Sequence, residues 1–372
     1  MLSKSRMLSR FLTKNVLNPP RDFDYSPSAL LSRLDSRPYQ ARTTKHLNEQ
    51  ENVPMTEKNT RLSNLLKVDM SLECQLQDIL WSAEDNVGHF EKVIYRISGA
   101  EVPAYVCNSK QPRDKEVWIL CLQGHNSGMH ISLGVDSATE SKRIRVAGDR
   151  DIGSWCLKNG FNAICVEQLC LGERVEQKQE KTHKHPCQDM SMQLLVLGRT
   201  LMGVRVSEVL AIVKYLRQER GPNITIGIIG NSLGGTVAKY CHALSNDIQF
   251  GILSGCISEF EYSLIENSGR HCCDLYVPDL LTHFNCSDIL GLAAPKLSLI
   301  VHGLGDQLFP ILGFSKSYKR ARAFFIEHGA DDKLRPIIGL GGHRLYLNLI
   351  EAELDKQPQI VGVRSSTIGY IF

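Results

Sequence analysis

From about residue 91 onward, short apolar runs alternate with stretches of helical period. Candidate strands cover 92–97, 102–107, 117–122, 162–166, 224–229, 250–253, 297–301 and 334–338, and candidate helices lie near 147–158, 191–218, 233–244, 314–328 and 344–354. That alternation predicts an α/β fold, a mainly parallel central sheet flanked by helices on both faces. The first two strands, joined at Gly99-Ala100, read as an antiparallel hairpin leading into it. Upstream, Leu62, Leu65, Leu66, Met70, Leu72, Leu76, Ile79 and Leu80 recur at three- and four-residue steps, which predicts helix over 61–85. Residues 1–60 are polar, carry prolines at 19, 20, 27, 38 and 54, and show no sustained apolar period. The chain thus divides into a polar arm (1–60), disordered or targeting; a helical extension (61–90) packing on the body or on a partner; an α/β domain (91–355), with 256–295 a candidate lid; and a tail (356–372), with a homo-oligomer through the N-terminal region as one outcome.

Composition changes this picture little, at 42% hydrophobic and 22% charged residues. The net charge of +3 is carried by the arm: Lys4, Arg6, Arg10, Lys14 and Arg21 all precede the first acid, Asp22. The body is therefore near neutral and lacks the basic face of a nucleic-acid binder. No apolar run approaches the roughly 20 residues of a membrane span. The twelve cysteines include no CxxC pair, which favours a reduced chain whose thiols are buried as small hydrophobes. The expected location is cytoplasmic. The acid-free stretch 1–21, rich in Ser, Lys and Arg, is compatible with organelle targeting instead.

The sharpest chemical signal is Gly230-Asn231-Ser232-Leu233-Gly234, directly after one candidate strand and directly before a candidate helix. A G-x-S-x-G string arises by chance in roughly one chain in ten of this length; a strand on one side and a helix on the other make chance a poor explanation. A nucleophile held at a sharp strand-to-helix turn takes strained backbone angles, and Gly230, Gly234 and Gly235 would give the clearance the turn needs. Against this stands a glycine-rich turn that merely connects strand to helix.

A serine hydroxyl needs a base, and that base an orienting acid, in the chain order Ser, Asp, His. Asp306, in His302-Gly303-Leu304-Gly305-Asp306, and His343, in Gly339-Leu340-Gly341-Gly342-His343, each lie just past a candidate strand, where catalytic groups of such sheets gather. Taken singly, Asp306 could be a turn residue and His343 one of twelve histidines; His302, inside a strand, reads as packed core. A tetrahedral intermediate also needs N–H donors. The backbone of Leu233 is one candidate, and the loop Gln123-Gly124-His125-Asn126 supplies the other from His125, with Asn126 next.

With these residues in view, roughly 92–350 resembles the α/β-hydrolases, in particular the branch that is similar to dienelactone hydrolases and acetyl xylan esterases. The resemblance extends to Leu171-Gly172-Glu173-Arg174, Leu197-Gly198-Arg199-Thr200-Leu201-Met202-Gly203, Ala294-Pro295-Lys296 and Phe309-Pro310. It implies the α/β-hydrolase fold and a serine hydrolase with no cofactor and no metal, and the serine in place of the dienelactone hydrolases' cysteine favours an esterase. The chain departs from the pattern at Gln123, where histidine is common, and at Val204-Arg205-Val206-Ser207-Glu208, where an aspartate usually braces the elbow.

The expected activity is cleavage of a short-chain or acetyl ester of a small molecule or carbohydrate through an acyl-enzyme. The alternatives are a prolyl-oligopeptidase-like peptidase and a catalytically silent hydrolase fold used for binding. Two clusters bear on metal, His183-Lys184-His185-Pro186-Cys187 and His271-Cys272-Cys273-Asp274. Neither has a second half at structural-zinc spacing, so no metal is expected from either. Arg174 and Arg199 read as structural ion-pair partners.

Overall fold

Nine strands join in one sheet in the order β1-β2-β3-β5-β4-β6-β7-β8-β9 among the residues described by the computed structural model, 53–176, 187–267 and 270–364. They are β1 (Cys74–Glu84), β2 (Gly88–Ile97), β3 (Ala100–Ser109), β4 (Val117–Leu122), β5 (Asn162–Val166), β6 (Thr225–Asn231), β7 (Phe250–Ser254), β8 (Leu297–Gly303) and β9 (Leu334–Gly339). β1 to β3 form an antiparallel meander, β3 pairs antiparallel with β5, and the strands from β5 to β9 run parallel. Between β2 and β3 the two loop residues, Ser98 (φ 47°) and Gly99 (φ 88°), both take positive φ, the signature of the tight turn whose twist matches a hairpin.

Helices cover both faces: α1 (Met55–Leu66), α2 (His130–Leu133), α3 (Ile152–Lys158), α4 (Cys187–Val196), α5 (Leu201–Arg220), α6 (Leu233–Leu244), α7 (Leu280–His283), α8 (Cys286–Gly291), α9 (Ile311–Glu327), α10 (Leu347–Leu354) and α11 (Pro358–Val361). The period-2 alternation of a strand sends consecutive side chains into two separate cores. Along β4, Trp118, Leu120 and Leu122 pack with Met202, Val206 and Val237 of α5 and α6; Val117, Ile119 and Cys121 pack with Trp155 and Cys156 of α3 and Ile350 of α10. A strand buried on both faces reads as a continuous apolar run, which is why the parallel strands were legible.

All of these elements fall in the unit Met55–Phe372; of the other unit, Met1–Pro54, only 53–54 are described, so the polar arm and its targeting stretch lie outside the described residues, as do 365–372 of the tail. No helix of the described residues is long and apolar enough to cross a membrane.

Two expectations need correction. Helix does not run through 61–85: α1 ends at Leu66, with Leu62 and Leu66 fully buried, and 74–84 is the edge strand β1. Its register shifts between Leu76 and Asp78 and again between Ile79 and Trp81. Each bulge interrupts the two-residue alternation, so apolar residues three apart mimic a helical step. The helix expected over 191–218 is two helices. Gly198 (φ 70°) follows the end of α4, and Thr200, in extended backbone, caps α5 by accepting from Gly203 N at 2.8 Å. Thr200 also donates to Leu66 O at 2.6 Å, tying α1 to the start of α5.

Candidate active site

Ser232 sits at the C-terminal end of β6, on the residue that starts α6, with φ 59° and ψ −120°. A non-glycine residue held at these angles costs on the order of 1–3 kcal/mol. The neighbouring backbone explains both how it is held and why glycines flank it. Ser232 N donates to Ser254 O at 2.9 Å. A Cβ on Gly230 would meet Gly234 O at 2.2 Å, one on Gly234 would meet Leu122 O at 2.2 Å, and one on Gly235 would meet Ser254 O at 2.6 Å. The three elbow glycines are therefore demanded by close backbone approach between β4, β6, β7 and α6.

Asp306 and His343, in the loops after β8 and β9, are brought together: His343 Nδ1 lies 2.7 Å from Asp306 Oδ2. The other carboxylate oxygen accepts from Leu308 N at 2.9 Å and Phe309 N at 3.1 Å. Burial alone would raise the Asp306 carboxyl, but the hydrogen bond and charge of His343 and the two backbone donors hold it below the usual carboxylate range. An ionised carboxylate accepts only, so the Nδ1 side of the ring carries the proton and Nε2 is the basic nitrogen. Nε2 is buried and has no hydrogen-bond partner among the described residues. Phe309 stacks on the imidazole at 5.9 Å between centroids, with 12° between ring planes, and fixes its plane.

Ser232 and His343 line one cavity of about 530 Å³, together with Gly124, His125 and Asn126. Leu233 is the first residue of α6, so its N–H has no acceptor within the helix. Of the expected donors, His125 and Asn126 thus border the same space as the serine, and Leu233 follows it directly in the chain. Gln123, the departure from the family pattern, braces the loop: its Nε2 donates to Ser132 Oγ at 2.7 Å and Arg150 O at 2.8 Å, and its carbonyl accepts from Gln168 Nε2 at 2.6 Å.

The remaining candidates divide. His302 is packed core, stacked on Phe314 at 4.5 Å, and burial lowers its pKa. Arg174 forms a bidentate pair with Glu208, both bonds 2.7 Å, so Glu208 serves an ion pair in the stretch where an aspartate was expected. Arg199 acts at longer range, its charge contributing, after the hydrogen bonds of Ser71, to the lowered pKa of the Asp69 carboxyl. The segment 256–295 supplies Arg270, His271, Cys272 and Leu275 to the cavity wall, and Asn267 and His271 fasten it to the loop after β8 through Leu308 O, each at 3.0 Å. His183 and His185 lie outside the described residues. Cys187 lies beside Cys272, Asp274 and His125, a convergence that spacing along the chain could not reveal.

No family model matches the chain. Over 171 residues it is 28% identical to YtaP of Bacillus subtilis (strain 168), a protein assigned by inference as a hydrolase. That match covers 45% of this chain and 54% of YtaP, so it spans about half the length of the relative. Among solved structures, a protein from Bacteroides fragilis assigned by inference as an acetyl xylan esterase superposes with a TM-score of 0.63 at 15% identity, covering 77% of this chain and 74% of that one. The glucuronoyl esterase from Solibacter usitatus gives 0.52 at 14% identity, covering 79% and 92%. A nine-stranded sheet of this order, with a strained serine between strand and helix and an Asp–His pair beyond later strands, gives the chain the α/β-hydrolase fold.

Proposed function

We propose that the chain is a serine hydrolase cleaving a short-chain or acetyl carboxylic ester, with Ser232 as nucleophile, His343 as general base and Asp306 as the group that orients it. The observation that carries this reading is the backbone of Ser232, held at φ 59° at the mouth of a cavity it shares with an Asp306-bound His343. Ser232 Oγ attacks the ester carbonyl while His343 Nε2 takes its proton, forming a tetrahedral intermediate whose oxyanion the N–H groups of Leu233 and His125 receive. Collapse breaks the bond to the alcohol oxygen, which leaves with the proton from Nε2. Water, deprotonated by the same nitrogen, then hydrolyses the acyl-enzyme and returns Ser232.

The cavity lining favours a small, polar substrate. Among the described residues no carboxylate lines it, whereas Arg150, Arg270 and Arg344 do, and of these three only Arg344 is in an ion pair there, with Asp149 at 2.5 Å. Acetylated carbohydrates, including ones bearing an acid group, fit this wall better than long alkyl chains. The test is hydrolysis of p-nitrophenyl acetate by the wild-type chain and by Ser232→Ala, with folding checked by circular dichroism. The reading expects a loss of several orders of magnitude in kcat with the fold intact; undiminished turnover in the variant would sink it.

A further inference from the structure

At the wall of the cavity, which His125 and Cys272 line, three chain segments deliver four ligand-type side chains to one point. His125 comes from the loop after β4, Cys187 from the first turn of α4, and Cys272 and Asp274 from the loop that precedes α7. One donor atom from each lies within 4.8 Å of all the others. Cys187, Cys272 and Asp274 are nearly inaccessible, at 0%, 9% and 3% exposure. Asp274 Oδ2 is occupied, at 2.9 Å from His125 Nε2 and 2.5 Å from Arg205 Nη1. Its Oδ1 is buried with no hydrogen-bond partner among the described residues, an unusual expense for a carboxylate.

The geometry points to a structural divalent-metal site, zinc by its ligand chemistry, formed by His125, Cys187, Cys272 and Asp274. Two sulfurs, an imidazole and a carboxylate form the mixed soft and borderline set that zinc takes in tetrahedral coordination. Asp274 Oδ1 is the free ligand oxygen. Arg205 is the outer partner: its Nη1 holds Oδ2, its Nη2 lies 3.2 Å from Cys187 Sγ, and its Nε and Nη2 are anchored on Leu169 O at 3.0 and 2.7 Å. With both thiols ionised, a divalent cation and Arg205 together balance two thiolates and one carboxylate, so the buried cluster is neutral. Binding releases the thiol protons.

Four protein ligands leave no open position for water, so the ion would fasten rather than react. What it fastens is His125, whose backbone N–H is the proposed oxyanion donor. That consequence rests on the proposed function; the site itself does not. Along the sequence neither cluster has a second half; in the fold Cys187 of one meets Cys272 and Asp274 of the other.

The full chain is prepared reduced with added Zn²⁺, desalted and assayed for metal by mass spectrometry, and Co²⁺ is exchanged in for absorption spectroscopy. The site predicts about one Zn²⁺ per chain, thiolate-to-cobalt charge-transfer absorption, and loss of both in Cys187→Ser and Cys272→Ser. Should either variant misfold, the wild-type chain still decides: chelation must make Cys187 and Cys272 newly reactive towards a thiol reagent, mapped by peptide analysis. Zinc well below one per chain, a cobalt form without thiolate absorption, zinc retained in the variants, or a Cys187–Cys272 disulfide would each overturn the site. None of these readouts depends on catalysis, so failure here is distinct from failure of the hydrolase reading.

Discussion

Gly234→Ala adds one methyl group where the elbow is tightest. Its Cβ would stand 2.2 Å from Leu122 O, 2.6 Å from Leu122 C and 2.7 Å from Gln123 O. All three are backbone atoms, so no side chain can swing away. An ordinary C···O contact is about 3.3 Å, so α6 and the end of β4 must part by roughly 1 Å. Ser232 moves with α6, and the His125 loop moves with β4. A displacement of about 1 Å between reacting groups costs on the order of 10²-fold in rate, while overpacking costs about 1–3 kcal/mol of stability. The assay is kcat/KM on p-nitrophenyl acetate beside thermal unfolding. The control is Gly329→Ala, at φ 65° with nothing within 4 Å of its Cβ. It loses about 1–2 kcal/mol to left-handed backbone and keeps full activity. A Gly234→Ala chain within about twofold of wild-type kcat/KM would refute a reasoning that asks for about 10²-fold.

Three further outcomes follow from single contacts. Asp306→Asn keeps the shape but removes the acceptor that fixes the His343 tautomer, and should lower kcat by about 10⁴-fold with little change in KM. Glu259 is fully buried, 3.7 Å from Arg320 and near Ser287, Glu261 and Asp288, and burial pushes its pKa up to about 7. Its folded-state value lies above the unfolded one, so its stability contribution is complete below about pH 4.5 and is lost as pH rises through about 7. Unfolding in urea should show wild type losing about 2 kcal/mol relative to Glu259→Gln between pH 5 and pH 8. Arg174→Leu strands Glu208 in a buried pair and should cost about 3–5 kcal/mol in the same assay, most of it recovered by Arg174→Leu/Glu208→Leu.

The parallel strands, the elbow and the Asp306–His343 pair were legible because each has a local cause: an apolar run buried on both faces, a glycine-flanked serine, a polar residue just past a strand. β1 was not, because an edge strand buries little, and two bulges turned its apolar spacing into a helical one. The break in 191–218 was signalled by Gly198 and Thr200, but apolar periodicity on both sides outweighed them. The cysteine cluster was invisible for a different reason. Cys187 and Cys272 meet only because α4 and the loop before α7 pack against the His125 loop, and no pattern along the chain encodes that meeting. Gln123 shows the reverse case, a departure from the family pattern whose side chain turns out to hold the loop through Ser132 and Arg150.

The claim that Ser232 is an activated nucleophile is tested most directly by labelling the folded chain with a fluorophosphonate probe and locating the adduct by peptide mass spectrometry. The account predicts one stoichiometric adduct on Ser232, absent in Ser232→Ala and strongly slowed in His343→Ala. Failure of the well-folded wild-type chain to react, or an adduct on another residue, would contradict it.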